Sequence, residues 1–160
     1  MFRISAAFAA SALIVVLAAA VGSVHAMSGA PAVAAQAAGA TRSVWDGAYT
    51  DAQAKRGRES YEYSCGTCHL PSLEGDESRD IPALYGEEFV DEWSGKPVKE
   101  LFELIRKMMP KDAPGSLKNE TYADIVAYLL QSNEFPAGAQ ELPANAAALE
   151  RVRLDKAPPK

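Results

Sequence analysis

The residues best placed to do chemistry are Cys65-Gly66-Thr67-Cys68-His69. Two cysteines two residues apart, with histidine directly after the second, form the attachment pattern of c-type haem. Each thiol can add across one vinyl group of the porphyrin, giving two thioethers. The adjacent imidazole of His69 is then held under the ring, where one nitrogen can bind iron. Three other readings stand beside this one: a redox dithiol, a structural disulfide and half of a zinc site. A thioredoxin-like dithiol calls for a preceding strand and a βαβ pattern, and the sequence displays neither. A zinc site calls for about four ligands. Only two cysteines and two histidines, His25 and His69, occur in the 160 residues. If both cysteines enter thioethers, no thiol chemistry remains. His25 falls in a segment expected to be removed, so bis-histidine ligation and a second haem of this kind are excluded.

A haem iron needs a ligand on its other side. Leu101, Leu104, Ile105 and Met108 recur at the 3, 4 spacing of a buried helical stripe. Pro97 is placed to start that helix at its first position, where the missing N–H costs nothing. Pro110 stops it and pushes Met109 toward an extended conformation. The stripe assigns Met108 to the core and turns Met109 about 100° away from it, into the loop Pro110-Lys111-Asp112-Ala113-Pro114-Gly115. Met109 is therefore the expected second ligand, with Met108 the alternative. The Pro82 carbonyl is the expected acceptor for the other N–H of His69, because a ligating histidine is normally oriented that way; the plainer reading is a proline that shapes a loop. Trp93 is expected on the haem edge, its N–H toward a propionate, or simply in the core.

Helices must position these groups. Thr50-Asp51-Ala52-Gln53 reads as a capping box opening a helix over 51–64 that delivers the chain to Cys65. Gly57 and Tyr61 share a face of it. A glycine there costs roughly 1 kcal/mol against alanine, which close approach by another element would explain; toleration on an exposed face is the alternative. A short helix is expected over 88–93. The last clear helix is expected over 120–131, capped by Asn119, with Ile125, Tyr128 and Leu129 as its apolar face. A crossing of Gly57/Tyr61 with Ile125/Tyr128 would account for the glycine. Leu149, Val152 and Leu154 give the tail a weaker helical pattern, expected to lie on the domain surface with frayed ends.

The flanks suggest export. Residues 1–26 read as a secretory signal: Arg3, an apolar alanine-rich run, then Val24-His25-Ala26 as a small-residue cleavage site. An uncleaved anchor is the alternative, since the run approaches the ~20 residues that span a bilayer. Residues 27–44 read as an Ala/Gly-rich tether, 45–136 as the haem domain and 137–160 as a C-terminal extension. The formal charge of −5 becomes −6 once Arg3 is lost. That balance offers no electrostatic case for nucleic acid and favours a basic partner.

Taken together, residues 44–142 resemble class I c-type cytochromes. The likeness is to small monohaem members, and fused domains, that accept electrons from periplasmic dehydrogenases, including quinoprotein types. It rests on Tyr49-Thr50-Asp51-Ala52-Gln53-Ala54, Arg56-Gly57, the Cys65 to His69 motif, Pro82-Ala83-Leu84, Met109-Pro110 and Pro114-Gly115-Ser116-Leu117. It continues through Tyr122-Ala123-Asp124-Ile125-Val126-Ala127-Tyr128-Leu129-Leu130 and Asn133-Glu134-Phe135-Pro136-Ala137-Gly138. The resemblance implies an all-α, cytochrome c-like fold of three to five helices around one covalently attached haem c. It implies thioethers at Cys65 and Cys68, axial ligands His69 and Met109, a Pro82 bond to His69, and first-on-last helix packing. Lys118 stands where the family often has Ser or Thr. The implied function is single-electron transfer in the periplasm, not enzymatic catalysis. A dehydrogenase would be the donor, and a terminal oxidase or another cytochrome the acceptor. Membrane attachment follows only if the signal segment is retained. The alternatives are a haem subunit fixed in a larger redox complex, and a ligand-binding sensor or enzyme with a labile Met109.

Overall fold

Thr50 begins the architecture. Its hydroxyl accepts the Gln53 N–H at 3.1 Å, and helix α1 follows over Asp51–Ser64. The computed structural model describes residues 40–156. The expected signal segment and residues 27–39 of the expected tether lie outside the described residues. A single turn, α2 (Gly66–His69), carries the motif directly after α1. An irregular stretch leads to α3 (Glu87–Trp93), then α4 (Val98–Met108), α5 (Asn119–Ser132) and a one-turn α6 (Ala146–Leu149). Two short strands, β1 (Arg42–Ser43) and β2 (Val152–Arg153), pair in parallel. The class is all-α, as expected of a cytochrome c-like fold, with six α-helical segments among the described residues and two 3-10 turns, Val44–Asp46 and Glu77–Arg79. The count exceeds the expected three to five because α2 and α6 are only four residues each. No helix among the described residues is long and apolar enough to cross a membrane.

The α1–α5 contact is the most extensive between helices. At Gly57 a Cβ would lie 1.8 Å from the Asp124 carbonyl oxygen and 3.0 Å from Tyr128 Cβ. The backbones touch, and glycine alone fits. The Tyr61 ring packs at a tilt against Tyr128, with centroids 5.3 Å apart. Arg56 forks onto Asp124 with two bonds of 2.9 Å and reaches Glu141 at 3.0 Å. Ile125 is buried on α5 but faces the cavity described below rather than Gly57.

Several expectations need correction. Gln53 does not complete the capping box. Its buried amide instead donates to the Leu142 carbonyl at 3.0 Å and accepts the Leu142 N–H at 2.7 Å, as a peptide group would in a sheet. Pro97 is the N-cap of α4, one position earlier than expected, and Asn119 is already helical, with Lys118 extended before it. The buried stripe of α4 is Val98, Leu101, Phe102 and Ile105. Met108 is 52% exposed and Leu104 47% exposed, so Met108 is not core. The helical period carries the covered face toward Phe102, and Leu104 and Met108 fall on its open side.

The C-terminal extension is no surface appendage. Leu142, Leu149, Val152 and Leu154 are all buried, and residues 152–153 form a strand where helical periodicity was expected. The Trp45 indole donates to the Asp155 carbonyl at 2.9 Å, and its ring packs on Phe135. Gly47 and Gly138 cross backbone on backbone: a Cβ on Gly138 would lie 2.3 Å from the Gly47 carbonyl oxygen.

Candidate functional site

Helix α1 ends at the motif, and Cys65 is both its C-cap and the residue before α2. The Cys68 and His69 N–H groups both donate to the Cys65 carbonyl, at 3.1 and 3.0 Å. This one-turn geometry puts the two cysteines and the histidine on the wall of one cavity. Leu70 follows at φ 64°, a left-handed conformation rare for leucine, which costs about 1–3 kcal/mol. The buried Tyr61 hydroxyl donates to the Leu70 carbonyl at 2.8 Å and holds that turn.

His69 is buried, at 8% exposure. Its Nδ1 lies 3.2 Å from the Pro82 carbonyl oxygen. A carbonyl only accepts, so Nδ1 carries a proton here, and Nε2 is the nitrogen whose lone pair the neutral imidazole can offer to a metal. The carbonyl is itself positioned. Leu84 N–H donates to the Leu73 carbonyl at 2.8 Å, and Gly75 N–H to the His69 carbonyl at 3.1 Å. Asn133, at the end of α5, donates to the Leu84 carbonyl at 3.0 Å and accepts the Gly86 N–H at 2.9 Å. Nothing in the local sequence announced Asn133 as a clamp for this loop.

The cavity has a volume of about 1310 Å³, above the ~300–1,000 Å³ of most small-molecule sites. Its walls are mostly apolar, with Leu101, Ile105, Leu129 and Trp93 among them. His69 and Met109 both line it, and Met108 does not. Met109 is extended (φ −129°, ψ 153°), its N–H still bonded to the Ile105 carbonyl at 2.9 Å. Trp93 is half-buried on the cavity wall, near Phe89, with Lys96 Nζ 5.0 Å from its ring centre.

A large apolar cavity, two thiols, an oriented imidazole and a thioether form a donor set that fits haem c. The other readings of the cysteines find less support. Burial pushes the Cys65 thiol up to about 11, with the Cys68 charge adding to it, whereas a redox dithiol needs an accessible thiolate near neutral pH. For zinc, no cluster of three or more His, Cys, Asp or Glu side chains occurs among the described residues.

Charge is concentrated at the mouth. Residues 74–92 hold eight acidic side chains against the single Arg79, a net −7, while the rest of the chain has 15 basic and 13 acidic residues, a net +2. Glu74, Glu77, Asp80, Glu88 and Glu92 stand on the cavity rim. Arg79 is paired with Asp76, and Lys96 with Glu92.

Comparison with curated proteins and with solved structures gives no match. Residues 52–129 match the family described as cytochrome c oxidase, cbb3-type, subunit III. That span includes Cys65, Cys68, His69, Pro82 and Met109, so the match supports a c-type cytochrome domain, and the cofactor such a domain implies is a covalently bound haem c.

Proposed function

We propose that this chain is an exported, periplasmic monohaem c-type cytochrome that carries single electrons between a dehydrogenase and a downstream acceptor. The observation that carries this reading is the sharing of one apolar cavity by Met109 and by a His69 whose Nδ1 is committed to Pro82. Cys65 and Cys68 would hold haem c as thioethers, and His69 Nε2 and the Met109 sulfur would be its axial ligands. When bound, haem c supplies a one-electron ferric/ferrous couple. The chain's contribution is to keep both ligands in place and to exclude water, and methionine ligation with apolar burial favours the reduced state. Leu101, Ile105 and Leu129 do the excluding, and the Pro82 carbonyl keeps the imidazole from turning. With His69 and Met109 both holding iron, neither substrate nor oxygen would find an open position. The acidic rim would orient a basic partner over the mouth, through a transient interface under about 1,200 Å².

The test is the absorption spectrum of the oxidised holoprotein. The weak far-red band of methionine-ligated ferric haem should be present in wild type and in Met108→Ala, and absent in Met109→Ala. Loss in Met108→Ala with retention in Met109→Ala would overturn the ligand assignment. Rapid carbon monoxide binding by the reduced wild type at neutral pH would favour a sensor or enzyme instead. A second reading is a fixed subunit of a larger redox complex, which the subunit description of the matched family favours. Copurification with other redox subunits would select it over a free shuttle.

A further inference from the structure

Tyr122 lies in the first turn of α5, and its side chain is fully buried. Its hydroxyl donates to the Met109 carbonyl at 2.8 Å and accepts the Leu117 N–H at 3.4 Å. Those residues are the two ends of the 109–117 loop. The same Met109 carbonyl also receives the Gly115 N–H at 3.4 Å. Between the ends the loop has little to hold it: residues 111–116 are all exposed. Its internal bonds are two short-range turns, Ala113 N–H to the Pro110 carbonyl and Ser116 N–H to the Ala113 carbonyl. A buried phenol normally finds a polar partner; this one finds two, and they close a loop.

We propose that Tyr122 is a positioning residue, a pin that ties both ends of the 109–117 loop to α5 and so holds the Met109 sulfur at the cavity. The proposal rests on the reading of Met109 as an iron ligand. The phenol never touches the cavity, so its effect runs through backbone placement alone. Removing the oxygen while keeping the ring leaves the Leu117 N–H facing carbon and strips one of two donors from the Met109 carbonyl. The packing of α5 is preserved. The cost therefore falls on the loop-closed state, and two lost hydrogen bonds raise the loop-open population by roughly tenfold.

The experiment compares Tyr122→Phe with wild type, both haem-loaded. Carbon monoxide binding to the reduced protein should quicken by about tenfold, because methionine must leave first. In urea, the far-red band of the oxidised variant should fade well before its far-UV helix signal. An unchanged carbon monoxide rate, with band and helix signal shifted together, would mean a merely structural tyrosine and would overturn the pin. Wild type lacking the far-red band would overturn the ligand reading and the pin with it, before any Tyr122 variant is measured. If Tyr122→Phe fails to take up haem, hydrogen exchange on the wild-type holoprotein decides. The Leu117 amide should be protected while the far-red band is present. Free exchange of that amide with the band intact would overturn the proposal.

Discussion

Gly57→Ala sets two opposing effects against one another, and the structure says which is larger. In an isolated helix the change would stabilise by roughly 1 kcal/mol, since glycine is the poorer helix former. Here the new methyl would sit 1.8 Å from the Asp124 carbonyl oxygen and 2.4 Å from the Asp124 carbonyl carbon. Carbon contacts settle near ~3.5–4.0 Å, so α1 and α5 must separate by well over an ångström. Both contacts are backbone, and no side chain can swing aside. The separation would also pull apart the two 2.9 Å bonds from Arg56 to Asp124, one residue away. Overpacking usually costs about 1–3 kcal/mol, and a backbone clash belongs at or above the top of that range. After the helix-propensity gain, the net loss is about 2–3 kcal/mol. For a domain of this size that lowers Tm by about 10 °C. Thermal and urea unfolding of the holoprotein, followed by far-UV circular dichroism, would measure it. Glu59→Ala, on the exposed face of the same helix, serves as the neutral control. A Gly57→Ala variant as stable as wild type, or more stable, would refute the crossing and restore the tolerated-glycine reading.

Further perturbations test other parts of the argument. If the acidic rim steers partners, reduction by a cationic small-molecule complex should slow, and reduction by an anionic one should quicken, as salt rises through ~0.1 M; Glu77→Lys with Glu88→Lys should shrink both slopes. The Tyr49 hydroxyl donates to the Phe135 carbonyl at 2.6 Å, and burial, with Asp51 adding, pushes its phenol up to about 12. That stability is fully present below the unfolded value of ~10 and lost as pH rises through about 12. Tyr49→Phe should therefore cost about 1 kcal/mol at neutral pH and flatten the decline in urea midpoint between pH 10 and 12; an unchanged alkaline profile would refute it. Ending the chain after Gly138 deletes four buried aliphatic side chains worth about 2 kcal/mol each, close to the ~5–15 kcal/mol total of a typical domain. No cooperatively unfolding, haem-loaded protein should result.

What was legible from the sequence was local. The α1 boundaries, 51–64, follow from one threonine cap and the break before Cys65. Met109 departs from α4 where Pro110 forbids continuation, and that needs no tertiary knowledge. The apolar stripe does not separate the two methionines, because Met108 is exposed rather than core; the feature that separates them in the structure is that Met109 alone lines the cavity. The bonds that were illegible join residues that only the tertiary fold brings together, most of them far apart in the chain. Gln53 pairs with Leu142, Asn133 with Leu84 and Gly86, and Tyr122 with Met109 and Leu117. An amide or phenol carries no label for its partner until the fold brings one near. The buried tail is illegible for the same reason: Leu149, Val152 and Leu154 are spaced ambiguously between helix and strand, and in the fold Leu149 closes α6 while pairing with Arg42 and Ser43 makes residues 152–153 a strand.

The division of the chain follows from the cavity itself. Every residue that lines it falls between Tyr61 and Leu129. A domain that gives its centre to a ligand site cannot rely on side chains meeting there, and must be held from around the site. The observed contacts do that. Gly57 on Asp124 and Gly47 on Gly138 bring backbones together where no side chain intervenes, and Gln53 treats residue 142 as a sheet neighbour. Of these residues, none lines the cavity. The helices that flank the site can then be fixed independently of what fills it, while the loops that carry Pro82 and Met109 are tied to α5 and its end by the side chains of Asn133 and Tyr122. On the proposed reading of His69 and Met109 as iron ligands, stability and ligand geometry are thereby assigned to different residues. It follows that substitutions at Gly57 or Gly138 should move unfolding with little change in the far-red band of the folded protein, whereas Tyr122→Phe should move the band before it moves the fold.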